Sequence, residues 1–181
     1  MRLKLSLLAC LAGLPISICP AAGPEPIRIG VTCPFTGGSS PMGESMRNGI
    51  RMATEEINWK GGILGRPIEL IERDDEANPD KGRAFPEELT GKARVVATIG
   101  SCNTGVVLKT LDLYQKAKIP LLVPVATGVA ITTTYAKEAE HYIFRTSAKD
   151  AIQAPFVIDD IVKNGWSRVA IFADTTGYGE A

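Results

Sequence analysis

Neither charge is in surplus in this chain, histidine is almost absent, and no glycine-rich phosphate loop occurs. Twenty basic residues balance twenty acidic ones among 181, and like charges do not run together. A nucleic-acid surface or a charged tail is therefore not indicated. His141 is the single histidine and has no Ser or Cys nucleophile motif to serve, which argues against triad chemistry. A Walker pattern is missing, and GYGEA at 177–181 is too short for a dinucleotide fingerprint. The acidic pair Asp74-Asp75 does not replace these, because neighbours on an extended backbone point apart and Asp before a helix is a capping choice. Nothing here argues for an enzyme or for a bound cofactor.

What is present begins with a leader. Arg2 and Lys4 precede an apolar run, 5–18, too short to span a bilayer comfortably, and Ala21, Ala22 and Gly23 offer a cleavage site. The expectation is a signal peptide over 1–23, cleaved near Ala21 to Gly23, and export to a bacterial periplasm. A retained anchor is the alternative; a lipoprotein through Cys10 or Cys19 fits less well. Without the leader only Cys33 and Cys102 remain. An oxidising compartment permits a bridge between them, and two buried free thiols fit the spacing equally well.

The remainder, 45% hydrophobic over the whole chain, reads as a globular α/β unit. Apolar runs at 27–32, 67–72, 94–99 and 120–123 predict strands. Helices are expected at 43–59, with Met46, Ile50, Ala53 and Ile57 as the inward stripe, from Asn78-Pro79 to about 90, and from 104 to 118. A looser segment, 124–140, holds a short helix, and 142–145 reads as a short strand or crossover. A helix over 148–164 and a further strand at 168–173 follow. Strand–helix alternation specifies a parallel, Rossmann-like sheet with helices on both faces. Because the chain stops as another helix begins, it reads as a fragment: lobe I over 24–145 and an incomplete lobe II starting at 146–181.

Three loops follow strands at their carboxyl ends, where open α/β sheets bind ligands. The first, 34–42, holds Thr36, Gly37, Gly38, Ser39, Ser40 and Met42, and is longer than a connection needs. The second, 101–104, places Asn103 and Thr104 at a helix N-terminus, which needs capping and also suits a carboxylate. The third is Val125, Ala126, Thr127 and Gly128. Together they predict a site for a polar, uncharged-to-anionic small molecule.

The elements IRIGV, PFTG, INWKGGILGRPIELIERDDEANP, VVATIGSCNT, IPLLVPVAT and YIFRTSAKDAIQ resemble the periplasmic leucine/isoleucine/valine-binding protein family, type I solute-binding proteins of ABC transporters. The resemblance covers about 27–181. It implies two Rossmann-like lobes about a hinge, with an amino acid or other small carboxylate or amide trapped between them and passed to an ABC permease in the inner membrane. By position, it implies Thr104 as a hydroxyl for the ligand carboxylate with Asn103 beside it. It also implies the Val125 carbonyl and Thr127 for the ammonium and carboxylate, and Asp174, Gly177 and Tyr178 as the start of the lobe II wall. Where the family often carries an aromatic in the first loop, Met42 stands here. One disulfide found in the family has no counterpart, its first partner aligning with Ala77. A ligand-sensing receptor ectodomain of the same fold is the alternative.

Overall fold

A computed structural model describes residues 23–180; the expected leader lies outside the described residues apart from Gly23, and with it Cys10, Cys19 and the rest of the expected cleavage region. Five parallel strands form one sheet in the order β2-β1-β3-β4-β5: β1 (Ile27–Cys33), β2 (Ile68–Asp74), β3 (Ala97–Gly100), β4 (Leu121–Val123) and β5 (Ile143–Arg145). The short segment expected as strand or crossover is thus the fifth strand, paired with β4 through Leu121↔Ile143 and Val123↔Arg145.

The chain steps from β1 to β2 in one direction and reaches β3 on the other side of β1. That reversal between β1 and β3 is a topological switch point, where the following loops part and leave a crevice.

Helix α1 (Ser40–Trp59) follows β1. Its first turn packs so closely that a Cβ on Gly43 would sit 1.9 Å from the Pro34 carbonyl oxygen. Its inward stripe runs through Gly43, Met46, Ile50, Thr54 and Asn58, while Ala53 and Ile57 are exposed, correcting the expected stripe. Asn58 explains the rotation: its amide donates to the Ile68 carbonyl and accepts the Ile68 N–H, pinning the helix end to the start of β2. After Lys60 the glycines at 61 and 62 (φ 96° and 76°) close the helix with positive φ.

The single helix expected from residue 79 to 90 is broken into α2 (Pro79–Arg83), a short turn α3 (Phe85–Glu87) and a π-turn (Glu88–Lys92). Pro86 is the physical reason, since it removes a donor and crowds the preceding turn. Helix α4 (Thr104–Ala117) packs on β4 and β5, ending at Lys118 with φ 56°. Short α5 (Ala130–Thr133) closes the same side. Val107, Leu111, Tyr114, Leu121, Val123, Ile131 and Ile143 are the core between these helices and the sheet.

Beyond β5, α6 (Asp150–Lys163) carries no buried residue. The strand expected at 168–173 is not formed: the segment is irregular and exposed, with Ile171 and Phe172 at 90% and 97% exposure. Its apolar pattern is strand-like, but no described strand lies beside it, and an isolated strand has no ladder to stabilise it. Among the described residues no helix is long and apolar enough to cross a membrane.

Candidate functional site

Loop 34–39 is held from below by Asp74, at the end of β2. One carboxylate oxygen accepts the Phe35 and Glu76 N–H groups at 2.9 and 3.0 Å, and the other accepts the Thr36 hydroxyl at 2.6 Å. Partial burial pulls the Asp74 pKa upward, but these bonds outweigh it and hold the carboxyl below its ordinary value. Ser39 occupies the N-cap position of α1 yet makes no side-chain cap. Its hydroxyl accepts instead from the Asn103 side-chain amide at 3.4 Å, across the switch point.

The neighbouring carboxylate points the other way, as expected for adjacent residues on a strand. Asp75 is fully buried and accepts the Ser101 hydroxyl and, at 2.9 Å, the Ala77 N–H. Burial pushes its pKa up, while those two bonds pull against the rise. Asp75 therefore anchors loop 101–103 rather than capping a helix. The cap of α2 is Asn78, whose side chain accepts from Asp80 and Lys81.

Cys102 is bonded to Cys33 at the end of β1, Cα to Cα 5.5 Å apart, which decides between the bridge and the free thiols left open by the sequence. Asn103 is the N-cap residue of α4, but its side chain makes no cap bond, contrary to the capping role its position suggested. Its Oδ1 is buried with no partner among the described residues. The Thr104 and Gly105 N–H groups likewise have no carbonyl partner there. Thr104 itself is 1% exposed, and its hydroxyl accepts the Gly128 N–H at 3.4 Å. Gly128 must be glycine here, because a Cβ would lie 2.4 Å from the Thr104 methyl.

Loop 124–129 is clamped by Arg145 of β5. Its guanidinium donates to the carbonyls of Thr127 and Gly128 and to the Thr132 hydroxyl, each at 2.9 Å. Ser147 donates to the Ala126 carbonyl at 2.9 Å, and Asp150 N–H to that of Thr127 at 3.0 Å. Three consecutive carbonyls are thus used internally. Those of Pro124 and Val125 have no such partner among the described residues, nor does the Thr127 hydroxyl.

These loops enclose one cleft of about 680 Å³, within the usual range for small-ligand sites. Ser39 and Met42 form one lip. Asn103 and Thr104 form the floor with Cys102, Gly105 and Val106, and Val125, Ala126 and Thr127 the opposite side. Ala77 and Pro79 complete the wall beside α2, and 174–178, including Tyr178, close it over. Ser40, the first residue of α1, is not on the lining, and neither are Thr36, Gly37, Gly38 and Gly128 of the expected loops. Gly177 lies against Gly105 so tightly that a Cβ on it would be 2.7 Å from the Gly105 Cα. Asp174 stays charged, its carboxyl held below its ordinary pKa by the Thr176 hydroxyl and backbone N–H. A second, apolar trough shares Met42 and Val125 and continues over Met46 and Pro124.

Among the described residues there is no group of three or more His, Cys, Asp or Glu side chains placed to hold a metal ion. Sequence reasoning missed the Arg145 clamp and the Asp75–Ser101 anchor. Both join residues far apart in the chain that share no motif.

A sequence profile of the family described as periplasmic binding protein matches residues 26–181. The Leu/Ile/Val-binding protein homolog 3 of Brucella melitensis is 32% identical over 155 residues, covering 85% of this chain and 41% of that protein. The ABC transporter substrate-binding protein of Desulfitobacterium hafniense in complex with Leu superposes with a TM-score of 0.71 at 28% identity, over 86% of this chain and 44% of that one. A solute-binding protein of an ABC transporter from Rhodopseudomonas palustris, in complex with 3,4-dihydroxybenzoic acid, gives 0.69 at 29% identity, over 77% and 36%. The chain spans about two-fifths of the length of these relatives.

Proposed function

The chain belongs to the periplasmic binding protein family, and we propose that the protein is the extracytoplasmic solute-binding component of an ABC importer, taking up a small amino acid and presenting it to a membrane permease. The observation that carries this reading is the pattern of unused hydrogen-bonding groups in the cleft. At one end lie the Thr104 and Gly105 N–H groups and the Thr127 hydroxyl, donors at the positive end of a helix of 14 residues. Such an end favours a carboxylate without needing a cationic side chain. Beside them lies an acceptor, the Val125 carbonyl. An α-ammonium group satisfies it, whereas a carboxylic acid with no donor leaves it unpaired at about 1–3 kcal/mol. Met42, Val125, Ala126 and Val106 supply apolar surface for a side chain.

The relatives' ligands support a carboxylate: leucine in one, a dihydroxybenzoic acid in another. Export through the expected leader fits the same role, as does the buried disulfide, since disulfides persist outside the cytoplasm.

Titration calorimetry of the full-length protein with L-leucine and with 4-methylpentanoate, the same acid lacking the amine, tests the reading. Leucine is expected to bind at least about 10-fold more tightly, the equivalent of one unpaired buried acceptor. Thr127→Val is expected to weaken leucine about 10-fold without lowering thermal stability. Equal affinity for the two acids would remove the ammonium from the argument, and binding of neither would remove the solute-binding role.

A further inference from the structure

We propose that the Cys33–Cys102 disulfide is a positioning element of the binding cleft, setting the spacing of its two rim loops; this rests on the solute-binding reading above. The argument starts where the sheet stops. The β1–β3 ladder ends at the pair Thr32↔Gly100, where the backbones approach so closely that a Cβ on Gly100 would lie 2.1 Å from the Thr32 carbonyl oxygen. Beyond that pair the two chains part, one into loop 34–39 and α1, the other into loop 101–103 and α4. No ladder bond constrains them further. The disulfide joins them at that point: Cys33 is the last residue of β1, and Cys102 immediately precedes Asn103.

Other ties do not do the same work. The Asp74–Asp75 pair ties both loops non-covalently, Asp74 to Phe35 and Thr36, Asp75 to Ser101 and through its N–H to the Cys33 carbonyl at 3.2 Å. These bonds stop short of Ser39 and Asn103. The direct link between the rims, Asn103 amide to Ser39 hydroxyl, is 3.4 Å long, near the outer limit of a hydrogen bond and too weak to set a distance. The covalent bridge is the tie next to Asn103 that cannot open by breaking a hydrogen bond, and it holds Ser39 and Asn103 in register. Preorganisation of this kind raises affinity by removing ordering that binding would otherwise have to supply. The bridge is also shielded, Cys33 being 0% and Cys102 4% exposed. Ambient thiols therefore reach it slowly, and it acts as a staple of the folded protein rather than as a switch.

The test uses the full-length protein and two variants, Cys33→Ser/Cys102→Ser and Cys33→Ala/Cys102→Ala, the second avoiding buried hydroxyls. Amide hydrogen exchange without ligand is followed at 36–40 and 101–106, and L-leucine and benzoate affinities by calorimetry. Exchange in both loops is expected to quicken about 10-fold while the α4 amides around Leu111 to Tyr114 stay protected. Leucine affinity is expected to fall about 10-fold. A lower melting temperature with unchanged loop exchange and unchanged affinity would make the bridge a stabiliser only and overturn the proposal. If the parent binds neither probe, the solute-binding reading fails, and the exchange data still decide whether the bridge orders the rims. If neither variant folds, the same exchange comparison is made on the parent in dithiothreitol. That dithiol supplies two electrons and two protons, turning the bridge into two thiols while it closes to its own cyclic disulfide. Unchanged exchange there, with alkylation showing both thiols free, also overturns the proposal.

Discussion

Replacing Arg145 by Met probes whether the loop after β4 is positioned by its own sequence or from β5. The guanidinium makes three hydrogen bonds, to two carbonyls and one hydroxyl. Hydrogen bonds from a charged donor contribute roughly 1.5–3 kcal/mol each when independent. These are not independent, and each carbonyl keeps a second donor: Asp150 N–H on Thr127 at 3.0 Å and Ile131 N–H on Gly128 at 3.3 Å. Removal therefore orphans no backbone group, and the gross loss is nearer about 3–4 kcal/mol. Against it, Met has no desolvation penalty, where a half-buried guanidinium facing carbonyls rather than a carboxylate carries on the order of 1–2 kcal/mol. The hydrogen bonds win, leaving a net destabilisation of about 2 kcal/mol. Because Thr127 and Val125 sit on the clamped loop, leucine affinity should also drop about 10-fold. Arg145→Lys should recover less than half of either effect, since a point charge cannot fork to three acceptors. Urea unfolding and calorimetry on the full-length protein provide both numbers. A Met variant within about 0.5 kcal/mol of the parent, binding leucine unchanged, would refute the clamp.

Other outcomes follow from the same packing. Gly82→Ala places a Cβ 2.4 Å from a Val106 methyl and should cost about 1–3 kcal/mol through overpacking of α2 on α4; a neutral result in urea unfolding would mean the two helices separate easily. Asp75 has a raised pKa in the fold, chiefly from burial. Its contribution is thus fully present below the ordinary carboxylate pKa and is lost as pH rises through the raised one. The stability of the parent relative to Asp75→Asn should accordingly decline across that window, and parallel melting-temperature curves from acid to neutral pH would contradict it. The reverse holds for Glu88 and Asp112, whose pKa values are lowered by bonds to Arg73 and Arg83. Their contribution is present above the ordinary value and is lost as pH falls through the depressed one, so Asp112→Asn should narrow its gap to the parent in acid.

Much of the fold was legible because its signals are local. The apolar runs of β1, β2 and β4, the Gly-Gly stop after α1 and the prolines opening strands each act within a few residues, and strand–helix alternation leaves a parallel sheet as the economical arrangement. Loops at the carboxyl ends of those strands then had to converge, and Ser39, Asn103, Val125 and Thr127 do line one cleft. The errors have local causes as well. Pro86 interrupts a helix that periodicity alone extends to residue 90. Asn58 turns α1 away from the stripe through Ala53. Residues 168–173 have a strand's pattern without a described neighbour to pair with.

By itself, the sequence determined the order of elements, the polarity of the loops and the absence of phosphate or triad motifs, because propensity and pattern are properties of neighbouring residues. It left open the fate of Cys33 and Cys102, which only their 5.5 Å approach across the switch point decides. Nor did it show that Asn103 and Ser39 decline their capping roles, that Asp75 holds Ser101, or that Arg145 uses up the carbonyls of Thr127 and Gly128. Those facts depend on distances between residues tens of positions apart, which exist only once the sheet has set its register. Which groups remain free to meet a ligand is therefore a property of the tertiary structure, even though the residues carrying them could be named from the chain.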